Sequence, residues 1–249
     1  MLLKCYNKQK NHMNDDESKN SEYNKSYPES EPPLTREKAE EAIRKRMAYI
    51  NNEFLAGFEL IGKYPKSVTF FGSSKFAEDN EYYQQAMALS ARIVKDIHYT
   101  VVSGGGPGIM EAANRGAYEA GGPSLGLVIK LSSQLMANKY LTESREFSHF
   151  FTRRVILSFS AETYIFFPGG FGTLDELFEL LTLIQTKKIP KVPIILVGSK
   201  YWNQVDKFIN NILFNDFDAI DKSDMEIYQI LDSNDEIIEV IKSAPMRKE

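Results

Sequence analysis

Three glycine-rich segments are the parts of the sequence best suited to binding a phosphate. They read Phe-Gly-Ser-Ser at residues 71–74, Ser-Gly-Gly-Gly-Pro-Gly-Ile-Met-Glu at 103–111 and Pro-Gly-Gly-Phe-Gly-Thr-Leu-Asp-Glu at 168–176. Glycine lets the backbone approach a ligand closely and adopt positive φ. A helix that follows such a turn offers free N–H groups and a positive dipole end to an anion. A single segment is equally well explained as a tight turn, but three at one edge of a sheet favour a phosphate site.

Charged residues beside these segments are candidates for chemistry. Asp175 and Glu176 follow the third segment, where a carboxylate either stabilises the helix dipole or binds ribose and activates water. Glu111 stands in the same position after the second segment. Arg153 and Arg154 open an earlier helix, and because adjacent residues point in different directions, at most one reaches the site. Such an arginine holds a phosphate or stabilises negative charge, whereas a solvated surface arginine is the plain alternative.

The predicted binding residues come from all three turns and the charges beside them. They are Gly72, Ser73, Ser74, Gly104, Gly105, Gly106, Gly108, Glu111, Arg154, Gly169, Gly170, Gly172 and Thr173, with Glu176 and Arg153 as the catalytic candidates. No segment ends in the Gly-Lys-Ser/Thr of a Walker motif, and the dinucleotide fingerprint would need glycine at Ile109. No Gly-x-Ser-x-Gly elbow is present. The three histidines have no paired ligands, so we predict neither a metal site nor a cofactor.

The elements that position these residues alternate between strand and helix. Strands are predicted at 68–71, 100–103, 125–129, 164–167, 194–197 and 228–231, and helices at 82–95, 109–120, 152–160, 173–186, 201–213 and 235–242. Most of the strands are short apolar runs without alternation, which is typical of parallel strands covered on both faces. The pattern predicts an α/β fold with a doubly wound, Rossmann-like parallel sheet. Ligands of such sheets bind beyond the carboxyl ends of the strands.

The chain is predicted to be one nucleotide-binding domain, residues 34–249, behind a polar tail. Residues 1–33 are poor in aliphatic side chains, which predicts disorder unless a partner orders them. A helix is predicted over residues 34–64, with Thr35 as its N-cap. Its apolar stripe packs on the domain's flank or on another subunit; the stripe consists of Ala39, Ile43, Met47, Ile50, Phe54 and Phe58.

Composition excludes several classes of protein. Of the 249 residues 43% are hydrophobic and 26% charged, as in ordinary globular domains. The net charge of −4 gives no reason to expect a nucleic-acid or membrane surface. The single cysteine, Cys5, excludes internal disulfides. Without a signal-peptide pattern or an apolar run of about 20 residues, we expect a cytoplasmic protein.

Two of the segments resemble a known family. Residues 168–176 match the Pro-Gly-Gly-x-Gly-Thr-x-x-Glu signature of the LONELY GUY (LOG) family, and Arg153 and Arg154 precede it where that family has Arg-Lys. Residues 104–117, Gly-Gly-Gly-Pro-Gly-Ile-Met-Glu-Ala-Ala-Asn-Arg-Gly-Ala, are similar to its longer bacterial branch. The resemblance extends from about residue 68 to 208. The family was long labelled lysine decarboxylase, an activity for which this sequence has no cofactor-anchoring lysine motif.

The resemblance implies a hydrolase, a phosphoribohydrolase that cleaves a nucleoside 5′-monophosphate to free base and ribose 5-phosphate. Plant members act on cytokinin riboside monophosphates, and many bacterial relatives accept AMP, as an AMP nucleosidase does. It also implies a homo-oligomer, a dimer or larger. Breaking the N-glycosidic bond builds positive charge on the ribose, which a carboxylate such as Glu176 stabilises while it aligns water. Arg153 would orient the nucleotide or assist the departing base, and Glu111 would bind ribose hydroxyls.

Two departures and two alternatives accompany this resemblance. Phe150 stands where plant members have Met, and Arg154 replaces the usual Lys; both bear on base preference rather than on the catalytic groups. A non-catalytic nucleotide or cofactor carrier is the alternative from another class, since one fold serves several functions. An assembly protein built on the 34–64 helix would explain none of the glycine turns. The sequence leaves the preferred base and the number of subunits open.

Overall fold

A computed structural model of the chain describes residues 35–130 and 137–244. The predicted tail, residues 1–33, lies outside the described residues. The strands are β1 (Ser67–Phe71), β2 (Thr100–Ser103), β3 (Ser124–Ile129), β4 (Glu143–Phe147), β5 (Thr163–Phe166), β6 (Ile194–Leu196) and β7 (Tyr228–Ile230). The α-helices are α1 (Arg36–Gly62), α2 (Glu81–Ile97), α3 (Ile109–Glu119), α4 (Phe150–Ser158), α5 (Phe171–Gln185), α6 (Ser199–Phe208) and α7 (Asn234–Ser243).

The described strands form one seven-stranded sheet in the order β4-β3-β2-β1-β5-β6-β7, and every pairing is parallel. The predicted doubly wound α/β fold is therefore confirmed. The strand order reverses between β1 and β5, which are neighbours in space, and ligands of open α/β sheets bind at such a switch point. The predicted glycine turns follow β1, β2 and β5, three adjacent strands whose carboxyl ends lie side by side.

Two apolar layers cover the sheet, one on each face. On β1, Phe71 packs in the layer that holds Tyr164 and Trp202, whereas Phe70 packs in the opposite layer with Phe167. All five residues of β1 are buried, and its two polar side chains, Ser67 and Thr69, are hydrogen-bonded to Ser160. The sheet edge that carries the glycine turns is thus held by a core on both sides.

The described residues divide into two compact units, residues up to Arg46 and residues from Met47 onward. In the first unit, the predicted N-cap is confirmed because the Thr35 hydroxyl accepts a hydrogen bond from the Lys38 N–H at 3.4 Å. In the second unit, the remainder of α1 buries Gly57 and Leu60. A single domain over residues 34–249 stays a prediction.

The structure departs from the predicted elements in two places. β4 was not predicted, because it is an edge strand with the sequence Glu-Ser-Arg-Glu-Phe, of which Phe147 alone is buried. The helix predicted at 201–213 is α6 followed by a π-helical segment, Ile209–Asp216. Among the described residues, no helix combines the length and apolarity needed to cross a membrane.

Candidate active site

The carboxyl ends of β1, β2 and β5 surround a cavity of about 440 Å³. Nine predicted site residues line it: Gly72, Ser73, Ser74, Gly104, Arg153, Gly170, Gly172, Thr173 and Glu176. Four further residues of its lining were not predicted: Phe71, Lys75, Met110 and Phe171. The remaining predicted residues, Gly105, Gly106, Gly108, Glu111, Arg154 and Gly169, lie outside this lining. Both catalytic candidates therefore face one cavity.

Backbone hydrogen bonds join the first turn to the other two. Ser73 N–H donates to the Pro168 carbonyl, and Ile109 N–H donates to the Ser73 carbonyl, each at 3.0 Å. Gly108 has φ +72°, and a side chain there would collide with the Ser73 carbonyl oxygen. Gly72 packs against Ile109 so closely that a Cβ would lie 2.7 Å from it. Glycine at these two positions permits the close contact between turns, which explains part of the glycine pattern without a ligand.

A buried polar network supports the second turn. Ser103 Oγ accepts the Gly105 N–H at 2.9 Å and donates to Asn114 Oδ1 at 2.6 Å. The Asn114 side-chain amide in turn donates to Ser124 Oγ at 2.9 Å. Gly105 has φ +70°, a conformation that L side chains rarely adopt. The turn is thus fixed from beneath, which leaves Gly104 at the cavity wall.

The third turn delivers the amino end of α5 to the cavity. α5 begins at Phe171, and its N-cap residue Gly170 has no side chain with which to cap the helix. The first N–H groups of the helix have no intrahelical partner, so this end attracts an anion. Thr173 adds a hydroxyl to the same lining. Tyr201 holds the turn from behind, because its hydroxyl donates to the Gly169 carbonyl at 2.8 Å.

Glu176 lies on the cavity side of α5, one turn after the free N–H groups. Burial raises the pKa of this carboxyl to about 7, against the opposing attraction of Arg153. A carboxyl with a pKa near neutrality is able both to hold and to release a proton at working pH. Perturbed carboxyls in clefts are recurrent markers of functional sites.

Arg153 reaches the cavity from α4. Its Nε donates to the Leu127 carbonyl at 2.6 Å, and its Nη2 lies so close to Gly104 that a Cβ there would collide with it. Burial lowers the pKa of Arg153, while the nearby Glu176 raises it. Guanidinium does not lose its proton in proteins, so a positive charge stands in a poorly hydrated wall of the cavity.

Arg154 points away from the cavity, as the alternation of adjacent helical residues predicts. Its Nη1 donates to Asp175 Oδ2 at 2.7 Å, and its Nε lies 2.8 Å from Glu179 Oε2. The pair with Asp175 lies at the surface, with 58% of the Asp175 side chain exposed, whereas Glu179 is only 24% exposed. A role for Arg154 in binding substrate stays a prediction.

Glu111 faces a neighbouring hollow of about 270 Å³, which Ser74, Lys75 and Gly108 also line. There it accepts a hydrogen bond from the Tyr83 hydroxyl at 3.2 Å. The two hollows share Ser74 and Lys75, so they adjoin. The predicted contact of Glu111 with ribose hydroxyls stays a prediction.

Lys75 and Phe171 are lining residues whose position in the sequence was a usable signal. Lys75 directly follows Ser74 in the first turn and brings a cation to both hollows. Phe171 is 95% exposed although it is a large apolar residue, and it stands between Gly170 and Gly172 in the third turn. Both lie inside or beside the predicted segments, but neither is a glycine or a hydroxyl residue, the types that predicted the site.

The parallel sheet, with a glycine-lined cavity at its switch point, defines a Rossmann-like α/β protein. A family model described as possible lysine decarboxylase matches residues 110–241, a span that includes Arg153 and Glu176. The chain belongs to this family, the LOG family that the motifs resemble.

Similar proteins carry names of one reaction class. A probable cytokinin riboside 5′-monophosphate phosphoribohydrolase of Arabidopsis thaliana is 26% identical over 153 residues, which cover 61% of this chain and 76% of the relative. A cytokinin riboside 5′-monophosphate phosphoribohydrolase of Rhodococcoides fascians is 25% identical over 155 residues, 61% of this chain and 78% of the relative. At family level these names support a phosphoribohydrolase.

Solved structures share the fold. The X-ray structure of TM1055 matches with a TM-score of 0.53 at 23% identity, and the match covers 71% of this chain and 98% of the TM1055 chain. The molybdenum cofactor carrier protein of Chlamydomonas reinhardtii matches with a TM-score of 0.54 at 19% identity, and the match covers 71% of this chain and 96% of the carrier protein. At these identities the likeness concerns architecture alone.

Proposed function

We propose that this protein hydrolyses the N-glycosidic bond of a nucleoside 5′-monophosphate, of the AMP or cytokinin riboside monophosphate type, to free base and ribose 5-phosphate. The observation that carries the proposal is one cavity lined by a carboxyl with a pKa raised to about 7, an arginine and the uncapped amino end of a helix. Membership of the LOG family supports the same reaction class.

The phosphate is assigned to the amino end of α5. The backbone N–H groups of residues 171–173 and the positive end of the helix dipole favour a dianion there. Thr173 adds a hydroxyl donor, and Ser73 and Ser74 add two more from the first turn. Lys75 supplies the compensating charge from the same turn.

Glu176 is assigned to the ribose. As the bond between C1′ and the base nitrogen breaks, positive charge spreads over C1′ and the ring oxygen, and an ionised carboxylate nearby lowers the energy of that state. The same carboxylate removes a proton from the water whose oxygen bonds to C1′. The base leaves with the electron pair of the broken bond and takes a proton from solvent.

Arg153 is assigned to the departing base. Its charge stabilises the electron pair that accumulates on the base nitrogen, while its Nε contact with the Leu127 carbonyl limits its movement. Because its guanidinium keeps its proton, it acts through hydrogen bonding and charge rather than as an acid. Pure phosphate binding would need no carboxylate beside the phosphate, which favours catalysis over a carrier role.

The test is incubation of the purified protein with a panel of nucleoside 5′-monophosphates: AMP, GMP, CMP, UMP and a cytokinin riboside monophosphate. Free base and ribose 5-phosphate are followed by chromatography, and binding is followed by calorimetry. Glu176→Gln is expected to lower kcat by about 100-fold or more, because the carboxylate acts in the transition state, and to bind nucleotide as the wild type does. Asp175→Asn is the matched control, since it removes the adjacent carboxylate, which is paired with Arg154 outside the cavity.

Release of base by the wild type and Asp175→Asn, together with loss in Glu176→Gln, supports the hydrolase and ranks the bases. Absence of release from every monophosphate, with tight binding in all three proteins, would instead identify a nucleotide or cofactor carrier. The expectation of a homo-oligomer stays a prediction of the sequence, which light scattering tests.

A further inference from the structure

Glu53 is a buried carboxylate that the proposed reaction does not use. It lies in the second unit's part of α1 and is only 6% exposed. Glutamate is almost never buried to this extent unless it is paired, since burying an ionised carboxylate without donors is costly.

Both oxygens of Glu53 are bonded to the start of α4. Oε1 accepts a hydrogen bond from the Ser148 N–H at 2.6 Å. Oε2 accepts one from the Thr152 hydroxyl at 2.5 Å and lies 3.1 Å from His149 Nδ1. Burial raises the pKa of Glu53, but these three partners together outweigh it and hold the pKa below its ordinary value. The group is therefore an ionised carboxylate at neutral pH.

α4 has no cap of its own. His149 is its N-cap residue, and the His149 side chain makes no capping hydrogen bond. Glu53, from another helix, accepts the N–H of Ser148 just before α4 and the hydroxyl of Thr152 in its first turn, and its negative charge suits the positive end of the α4 dipole. The segment that leads into α4 is thus hydrogen-bonded to a residue 95 positions before Ser148 in the chain.

The start of α4 carries the arginine of the cavity, because Arg153 directly follows Thr152. Arg153 has little freedom: Nε is bonded to the Leu127 carbonyl at 2.6 Å, and Nη2 lies against Gly104. A shift of about 1 Å in a catalytic group is enough to cost on the order of 100-fold in rate.

We propose that Glu53 is a positioning residue, which sets the guanidinium of Arg153 in the cavity by holding the start of α4. The rate effect rests on the proposed function, whereas the effect on α4 itself does not. The two are measured separately.

The principal variant is Glu53→Gln. The amide keeps the shape of the side chain, but its nitrogen cannot accept a hydrogen bond, so at least one donor of α4 loses its acceptor. We expect kcat for base release to fall about 10-fold with KM within about 3-fold, because Arg153 acts on the departing base. In an Arg153→Ala background the same change is expected to alter kcat less than about 2-fold, since the effect passes through the arginine.

Hydrogen exchange of residues 148–153, followed by mass spectrometry, is the readout that needs no catalysis. Glu53→Gln is expected to speed exchange in this segment about 10-fold while exchange in β1 and β5 stays unchanged. Thr152→Val, which removes one donor and leaves the carboxylate, is expected to give a smaller effect in the same direction. It also covers the case in which Glu53→Gln fails to fold.

The matched control is Glu143→Gln. Glu143 also accepts two side-chain hydrogen bonds from the region of α1, from Lys63 Nζ at 2.7 Å and the Tyr64 hydroxyl at 2.9 Å, but it lies on β4. We expect it to leave kcat and the exchange of residues 148–153 unchanged.

The outcomes separate the two proposals. Equal loss of kcat from Glu53→Gln in both backgrounds, or unchanged exchange in residues 148–153, overturns the positioning role. If the wild type releases no base, the hydrolase fails on its own, and the hydrogen exchange of residues 148–153 in Glu53→Gln and Glu143→Gln then decides whether Glu53 holds the start of α4.

Discussion

Two pairs of charges on the same two helices have opposite surroundings. Arg153 and Glu176 line the cavity, whereas Arg154 and Asp175, their immediate neighbours in the chain, meet at the surface. In the cavity, burial raises the pKa of Glu176 to about 7 and lowers that of Arg153. At the surface, the hydrogen bond with Asp175 raises the pKa of Arg154.

The difference teaches that residue type alone does not identify a catalytic group. Each pair consists of an arginine from α4 and an acid from α5, and the two pairs are neighbours in the sequence. Only in the cavity pair does burial disfavour the charged form of both groups. Such an arrangement costs stability, and its persistence points to use in a reaction.

The largest contrast is expected between Arg153→Ala and Arg154→Ala. Removing a cavity donor that stabilises developing negative charge is expected to lower kcat/KM about 100-fold. Removing the surface arginine is expected to lower it less than about 3-fold, because exposed pairs contribute little. Steady-state kinetics of base release measures both. Similar losses in the two variants would break the comparison.

The next contrast is in pH dependence. Because the reaction uses ionised Glu176, whose pKa is about 7, we expect kcat/KM to fall about 10-fold per pH unit below that value and to level off above it. Asp175→Asn is expected to keep the shape of this profile with a slightly lower midpoint, because the Asp175 charge is a minor cause of the raised Glu176 pKa. The substrate phosphate itself titrates near pH 6, and the pH profile of the residual activity of Glu176→Gln shows how much of the pH dependence comes from that phosphate. A wild-type profile that coincides with that of Glu176→Gln would remove Glu176 from the reaction.

The free energy of unfolding is expected to depend on the same ionisation of Glu176, but it falls as pH rises whereas activity increases. The folded state holds the Glu176 proton up to about pH 7 and the unfolded state only to about 4.5, so wild-type stability falls between these values. Glu176→Gln has no carboxyl to ionise, so its stability does not fall in this way. We expect its free energy of unfolding, relative to that of the wild type, to rise by about 1–3 kcal/mol between pH 4.5 and pH 8, after a discount for partial exposure. Urea unfolding at the two pH values measures it, and a constant difference would contradict the raised pKa.

The smallest effect is expected from the surface pair itself. A double-mutant cycle of Arg154→Ala and Asp175→Ala is expected to give a coupling of less than about 1 kcal/mol, because the pair is exposed and screened by salt. Urea unfolding at low and high salt measures it. A coupling of several kcal/mol, insensitive to salt, would make this pair structural and weaken the contrast with the cavity.

Much of the fold was predictable from the sequence because the strands are buried on both faces. β2 was predicted at its exact bounds, and β1, β3, β5 and β6 within a residue of theirs at each end. β4 escaped because a strand at the sheet edge, with Glu143 and Arg145 among its residues, lacks the apolar pattern.

The site was predictable where local sequence determines it and not where distant segments meet. The turns and Glu176 stand in contiguous motifs, and helical geometry alone separates Arg153 from Arg154. Glu53 has no such signal, since its partners begin at Ser148 and only the tertiary structure brings them together. Glu111 was predicted, but its hydrogen bond with Tyr83 was not, because that contact depends on the packing of α2 against α3.

The tyrosine that supports the third turn touches the chain's single tryptophan. The rings of Tyr201 and Trp202 meet edge to face at 4.8 Å, and the hydroxyl of Tyr201 is bonded to Gly169. Trp202 is fully buried, and its indole N–H donates to the carbonyls of Phe166 and Val197 at the end of β5 and just after β6. The protein therefore carries a built-in fluorophore two contacts away from its third glycine turn, so a change in that turn is expected to alter the intrinsic tryptophan emission without any added label.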